Sequence, residues 1–435
     1  MESRSPDAII IGAGIIGSCL ALEMARRGWQ TLTLDKLPTA GYGSTSVSCA
    51  IIRTHYSTLT GTAIAYESYH RWRAWGEYIG TADEEELATF RQTGCLVLKT
   101  EGNHDLQPVL GHTKSLGIPW EEWDQKKILD HLPFLDLNCF SPPRQPDAPG
   151  FGEPSGGQIA GGVYFPFAGY INDPQLSAQN AMMAAKREGA TFRFNAEVTA
   201  VDSNHGRVTG VTLTSGEQIK APVVVNVAGP HSSKINQLAG VDGQMSLSTR
   251  ALRQEVAYVP FLPTYDDEGT STIYSDNDVG CYLRSEVGNK VLIGSENPAC
   301  DPIEWVDPDT MNENLTDQAL SQVMRVAQRI PELGIPRHLG GVVACYDVTP
   351  DWIPIYDKSD LDGFYLAIGT SGNQFKNAPV VGEMMAEMIA AGESGVDLDR
   401  SPLEFRLRQL DRTIDTGFFS RNRTVNDESS FSVLG

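Results

Sequence analysis

The 435-residue sequence has no window approaching the roughly 18 charge-free apolar residues that a membrane-spanning helix needs, which excludes one. No signal peptide is expected: MESRSPDAIIIGAGIIG has no basic segment, places Asp7 before its apolar stretch, and breaks that stretch with three glycines. It has no C-x-x-C pair. Its seven cysteines (Cys19, Cys49, Cys95, Cys139, Cys281, Cys300, Cys345) are scattered and odd in number, which argues against a zinc or dithiol site and for a reducing compartment. No metal site is expected, and a soluble, cytoplasmic protein is. Basic residues are few, 34 against 55 acidic ones, and the formal charge of −21 repels phosphate backbones and anionic lipid; neither nucleic acid nor a membrane surface is an expected partner. Repeats and low-complexity tracts are also missing. What is present is 41% hydrophobic residues with 42 Gly and 25 Pro, enough for a large core and many turns, at a length that suggests two or three domains.

The apolar run at 8–12 (AIIIG) reads as a strand buried on both faces of a parallel sheet. Apolar residues at helical spacing follow from Ile15 to Arg27, with Gly28 placed to stop the helix, and TLTLD at 31–35 completes one βαβ unit. A second α/β stretch is expected from the helix 178–189 through the strands to 221–230, and a third at 361–391. Residues 251–298 carry strands and 311–330 a helix, while 138–157 is rich in loops. These textures predict an α/β protein with a discontinuous, Rossmann-like nucleotide domain (1–85, 151–245 and 340–395) on a central parallel sheet. An inserted, β-rich α+β substrate domain (86–150 and 246–339) and a C-terminal extension (396–435) complete it. The last stretch, SRNRTVNDESSFSVLG, is polar and expected to be loosely held.

Gly12-Ala13-Gly14-Ile15-Ile16-Gly17 matches G-x-G-x-x-G between a predicted strand and helix. The first glycine serves the turn, the second the approach of a pyrophosphate, and the third helix–strand packing, with the helix N-terminus facing the phosphates. Asp35, at the end of the second strand, is placed to accept from a ribose, and Lys36 follows it. The competing reading is a structural glycine turn. At 362–389 a strand leads through Gly369–Gly372 into a helix starting near Pro379. That helix end suits the charge that develops on a reduced flavin, and spacing alone equally allows an ordinary strand–turn–helix.

These residues resemble the FAD-dependent amine and amino-acid oxidoreductases of the D-amino-acid oxidase superfamily, nearest the sarcosine oxidase and dimethylglycine dehydrogenase branch. GAGIIG with Asp35, GSTSVSCAIIRTHYS at 43–57, VVNVAGP at 224–230 and the run from ACYDVTPDWIPIY to GTSGNQFKNAPVVG at 344–382 carry the likeness. The resemblance implies FAD on Gly12, Gly14, Ile15, Ile16 and Gly17, with Asp35 and Lys36 at the ribose end. Ser44 and Thr45 would flank the phosphates and ring system, Val198 the adenine, and Ala228 and Gly229 the cofactor. Gly372, Asn373, Gln374, Phe375 and Lys376 would sit at the isoalloxazine. Arg53 and Lys376 match the substrate-carboxylate positions, and a guanidinium with an ammonium suits a carboxylate. Tyr282 and Arg284 match substrate-facing positions more loosely, and His55, Tyr56 and Tyr346 are candidates for adjusting the amine's protonation.

The sequence also departs from that pattern. The two positions at which relatives tether flavin hold Ala344, next to Cys345, and Val47, so non-covalent FAD is expected. Asn373 and Gln374 stand where His-Gly is common. Leu292 falls near the position of a lysine that promotes reaction with oxygen, so the electrons are expected to pass to an external acceptor: oxygen, a quinone or an electron-transfer protein. The expected reaction is oxidation of the C–N bond of a small amino acid or N-methylated amine by hydride transfer to flavin N5, giving an imine that hydrolyses. The alternatives are an FAD-dependent 2-hydroxy-acid dehydrogenase and a non-catalytic flavoprotein assembly factor.

Overall fold

The computed structural model describes residues 5–81, 86–260, 271–286 and 288–434. Ala8–Ile11 is buried along its whole length because it runs through the middle of a sheet covered on both faces. It pairs in parallel with Thr31–Leu34 on one side and Val223–Asn226 on the other. Thr191–Arg193 and Phe364–Ile368 extend the sheet in parallel, and Ile355–Lys358 ends it antiparallel to Phe364–Ile368. Three separated stretches of chain thus build one six-stranded sheet. The helix Ile15–Arg26 lies between Pro174–Arg187 and Ala378–Glu393, and its nearly uninterrupted run of buried residues follows from having neighbours on several sides. Pro174–Arg187 starts earlier than its apolar pattern suggests, since Asp173 caps it at Leu176 N and Pro174 suits the first turn.

A second sheet has eight strands, in the order Gly340–Val348, Arg250–Pro260, Lys290–Ser295, Cys281–Glu286, Ile273–Asp276, Cys95–Leu98, Gly161–Phe165 and Glu121–Asp124. Its neighbours are antiparallel except Ile273–Asp276 with Cys95–Leu98. Alternation along these strands sorts the side chains onto two faces. Leu96, Leu98, Tyr274, Leu283, Val291 and Ile293 pack against Ala319, Val323 and Val326 of the helix Asp317–Arg329. That helix begins later than the expected 311 because Thr316 caps it. The opposite face, carrying Ile273, Ser275, Tyr282 and Val256, turns toward the carboxyl ends of the six-stranded sheet.

Two expectations are corrected. The strands Gly161–Phe165 and Gly340–Val348, placed by the sequence in the nucleotide segments starting at 151 and 340, hydrogen-bond to Cys95–Leu98 and Arg250–Pro260 and belong to the eight-stranded sheet. The C-terminal stretch is not loosely held. Arg421 is fully buried against Asp357, Asp360 and Asp399, Arg423 pairs with Asp351, and Val433 is buried. Its polarity misled because the polar groups are paired internally. Among the described residues no helix is long and apolar enough to cross a membrane, and no cluster of His, Cys, Asp and Glu could hold a metal ion.

Candidate active site

In an open parallel sheet, ligands bind outside the carboxyl ends of the strands, where the loops diverge. Here those ends deliver Gly12–Gly17 after Ala8–Ile11, Val227–Gly229 after Val223–Asn226, and Gly369–Gly372 after Phe364–Ile368. The three glycines of the first loop have different tasks. A Cβ at Gly12, whose φ is +115°, would lie 2.3 Å from the Val227 carbonyl oxygen, and one at Gly17 would lie 2.0 Å from that of Gly12. Both positions exclude a side chain so that loop, helix and neighbouring strand close on one another. Gly14 is open: a Cβ there would meet only the Thr45 hydroxyl, at 3.2 Å. Gly14 also begins the helix Ile15–Arg26 without a side-chain cap, so its first N–H groups face the cleft, Ile15 N alone being held by Thr45 Oγ1 at 3.2 Å. This is a cradle shaped for a phosphate group.

The cradle opens into a cleft beneath the eight-stranded sheet that runs from Gly14 and Thr45 to Arg53 and Leu434, so a phosphate-bearing cofactor and a substrate can lie side by side along it. Gly14, Ile15, Ile16, Gly17, Ser44, Thr45, Gly229, Gly372, Gln374 and Phe375 all line it, as do Arg53, His55, Tyr282 and Tyr346. The structure therefore gathers most of the sequence-predicted residues. Val47 and Ala344 also line the cleft and bring no nucleophile to it; Cys345 lines it too, and burial pushes its thiol up to about 11.

Arg53 is buried at the far end. Among the described residues its side chain donates to the backbone carbonyls of His55 and, at 3.0 Å, Val433. Burial lowers its guanidinium below its usual range. The ring of His55 stacks on Phe165 at 4.0 Å, and burial, reinforced by Arg53 and Lys376, holds it far below the ordinary histidine value and hence neutral. The Tyr282 hydroxyl meets Cys49 Sγ at 3.6 Å. Burial raises both Tyr282 and Tyr346, which stay phenols.

Several predicted residues stand elsewhere. Lys376 lies behind Tyr56, outside the cleft lining, with Nζ donating to the Tyr56 hydroxyl at 2.8 Å and the Asn373 carbonyl at 2.6 Å. Arg53 and Lys376 both approach the Tyr56 ring, at 4.3 and 5.0 Å from its centroid, so the two cations are linked through an aromatic ring instead of opening side by side. Asp35 accepts from Ala13 N at 2.7 Å and Leu37 N at 2.8 Å, tying the glycine loop and leaving carboxylate lone pairs for a ribose. Lys36 bonds to His231 and Asp309, and Val198 opens a strand paired with Arg207–Leu213. Ala228 and Asn373 back the cleft without lining it. Arg284 covers the Tyr170 ring at 4.0 Å and pairs with Glu286, near Cys49 but outside the cleft lining.

Other lining or supporting residues were not foreseen. Asp347 Oδ2 accepts from Gly369 N at 2.6 Å, and its carbonyl accepts from Ser371 N, so one residue sets the whole Gly369–Gly372 turn. Cys49, Gln254, Ser275, Val433 and Leu434 line the cleft from remote parts of the chain. Only the apolar FSVL within a polar tail could have signalled any of these.

A family model described as FAD dependent oxidoreductase matches residues 7–388. The glycine oxidase of Geobacillus kaustophilus is 22% identical over 403 residues, covering 90% of this chain and 95% of that protein. The sarcosine oxidase subunit beta of Rhodobacter capsulatus is 26% identical over 419 residues, covering 94% and 91%. Among solved structures, the L-proline dehydrogenase from P. horikoshii superposes with a TM-score of 0.74 at 20% identity, covering 96% and 97%.

Proposed function

Because the chain belongs to the FAD-dependent oxidoreductase family, we propose that it oxidises the C–N bond of a small amino acid or N-methylated amino acid, with FAD held non-covalently. The observation that carries this reading is Arg53: a buried guanidinium at the end of the cleft whose hydrogen bonds, among the described residues, go only to backbone carbonyls. Such a group favours a carboxylate, which pairs with it through two parallel hydrogen bonds. The uncapped helix at Gly14 and the vacancy there fit the pyrophosphate of FAD, and the Gly372–Phe375 stretch fits its ring system. When bound, FAD supplies the two-electron acceptor. Arg53 holds the carboxylate, Tyr282 and Tyr346 wall the reacting carbon, and Ile273, Val256, Val342 and Leu434 keep water out. The names of the relatives, glycine and sarcosine oxidases, support the same substrate class. Leu292, buried on the strand Lys290–Ser295, brings no cation toward oxygen, which favours an acceptor other than oxygen.

One observation favours 2-hydroxy acids instead: the neutral His55 imidazole in the same cleft is a base suited to a hydroxyl. Anaerobic mixing of the holoenzyme with N-methyl amino acids, D-amino acids and 2-hydroxy acids separates the readings. Bleaching of the flavin spectrum by amines alone is the expected result. Bleaching by hydroxy acids alone overturns it, and no bleaching by any of them points to a non-catalytic flavoprotein.

A further inference from the structure

Behind the cleft, on the substrate-side sheet, stands a carboxyl group that the reading above does not use. Glu296 follows the strand Lys290–Ser295 and is 4% exposed. Its Oε1 accepts from the Ser275 hydroxyl at 2.5 Å, and the carboxyl group is buried beside the Asp276 backbone and the Asn277 side chain. Ser275 itself lines the cleft, in the same cross-strand row as Tyr282, with which it pairs in register. The serine hydroxyl thus stands between the ligand space and a sequestered carboxylate.

Glu296 is also within electrostatic reach of Arg53. An α-amino acid whose carboxylate sits on Arg53 carries its nitrogen only one carbon further on, so a charge that acts on Arg53 acts on that nitrogen. Amino acids enter as ammonium ions, and a hydride leaves the neighbouring carbon only once the nitrogen has a free lone pair. Resting on the amine reading above, we infer that Glu296, working through the Ser275 hydroxyl, takes the proton of the substrate ammonium. The N–H bond breaks with its electron pair left on nitrogen, Ser275 Oγ accepts that proton, and the serine's own proton passes to Glu296 Oε1. A cation and an anion become two neutral groups, and no other reactant is needed. Glu296 is a positioning residue in this scheme, since Ser275 makes the contact.

Burial pushes the Glu296 carboxyl up to about 8, against the pull of the Ser275 hydroxyl and with the charge of Asp276 adding to the rise. The other titratable groups facing it are Arg53, Cys95 and Cys281. Burial raises both thiols, to about 12. Neither thiol titrates between pH 6 and 9, and a guanidinium keeps its charge in proteins.

The test uses holoenzyme and the amine that bleaches it best. Wild-type kcat/KM is expected to climb with pH as Glu296 ionises. Glu296→Gln keeps the hydrogen bond to Ser275 but accepts no proton; it should lose that limb and fall by about 10²-fold at pH 8, most of it in kcat. The two enzymes should converge as the pH falls. Glu296→Asp should restore part of the limb, and Ser275→Ala should lose it as Glu296→Gln does. Binding of acetate, read from the flavin spectrum, should not weaken in any variant, because acetate has no ammonium and loss of the Glu296 charge only relieves repulsion of a carboxylate on Arg53. If Glu296→Gln keeps the wild-type limb and rate, or weakens acetate and amine alike, the inference is overturned. If Glu296→Gln does not retain FAD, Ser275→Ala decides on the same two criteria. Wild type that no amine bleaches would overturn the functional reading, and this one with it; bleached wild type with an unaltered variant overturns this one alone.

Discussion

The two halves of the molecule build their share of the cleft from different materials. The six-stranded half contributes backbone: glycine loops, an uncapped helix end and strand termini, set in an apolar core whose strands Ala8–Ile11 and Val223–Asn226 are buried throughout. The eight-stranded half contributes side chains such as Ser275, Tyr282 and Tyr346 and carries charge against the middle of its sheet, whereas the buried pair of the other half, Arg421 with Asp357, lies on its edge strand Ile355–Lys358. Arg329 is fully buried, its Nε on Asp276 and its Nη2 on Asp278, both at 2.8 Å, and it also donates to the Asp136 and Asn138 carbonyls. Arg325 is buried in the same helix against Asp301. Cofactor binding by backbone tolerates surrounding apolar substitution, whereas a substrate wall stitched by buried ions is held by partners that fail singly.

The largest expected effect tests that contrast directly. Arg329→Leu leaves Asp276 buried without its cation, and removing one partner of such a pair costs about 3–5 kcal/mol. Urea unfolding followed by tryptophan fluorescence should show that loss. Ile10→Val, in the strand at the centre of the other half, should cost only about 0.5–1.5 kcal/mol. Equal effects would break the comparison.

A smaller effect concerns the substrate carboxylate. Arg53→Met should weaken inhibition by small carboxylates by roughly 1.5–3 kcal/mol, the worth of a hydrogen bond to a charged group. Lys376→Met should do less, because its ammonium, held far below its usual range by burial and by Arg53, faces Tyr56 and not the cleft. Competitive inhibition constants measure both. An equal loss from the two variants would restore the side-by-side clamp that the sequence suggested.

How much of this was legible follows the same division. The nucleotide cradle could be read because its parts are contiguous: a strand, three spaced glycines, a helix and an acid lie within residues 8–35. The roles of Gly12 and Gly17 came from the motif and the structure gives them the same tasks. Arg53 was reached only through family resemblance. Ser275 with Glu296, Asp347 with Gly369, and Arg329 with Asp276 are pairings between strands, helices and loops far apart in the chain, and no periodicity announces them. The tail was misread for a related reason, since composition reports polarity and is silent on whether a polar group has a buried partner.

Next in size is Gly14→Ala. The added methyl meets only Thr45 Oγ1, a hydroxyl free to rotate, so the fold should hold while the methyl crowds the phosphate site. The cost belongs at the lower end of the roughly 1–3 kcal/mol of an overpacked contact and should appear in FAD affinity, measured by fluorescence quenching on titrating apoprotein. An unfolded variant, or one with undiminished affinity, would show that Gly14 does not face the cofactor.

The smallest effect separates burial from location as the reason charge matters in the eight-stranded half. Lys126 and Asp130 pair at 2.5 Å on the short helix Gln125–His131, in that same half, but their side chains are 81% and 56% exposed. Water already solvates both ions there, salt screens what attraction remains, and ordering two long side chains offsets most of the gain. Lys126→Gln should therefore leave the melting temperature where it was, at low salt and at high salt alike. Arg329→Leu should lower it by a margin that salt does not change, because no counter-ion reaches a pair with no exposed surface. A measurable, salt-sensitive loss in Lys126→Gln would mean that this half depends on its net field, not on its buried pairs, and the contrast between the halves would have to be redrawn around charge density.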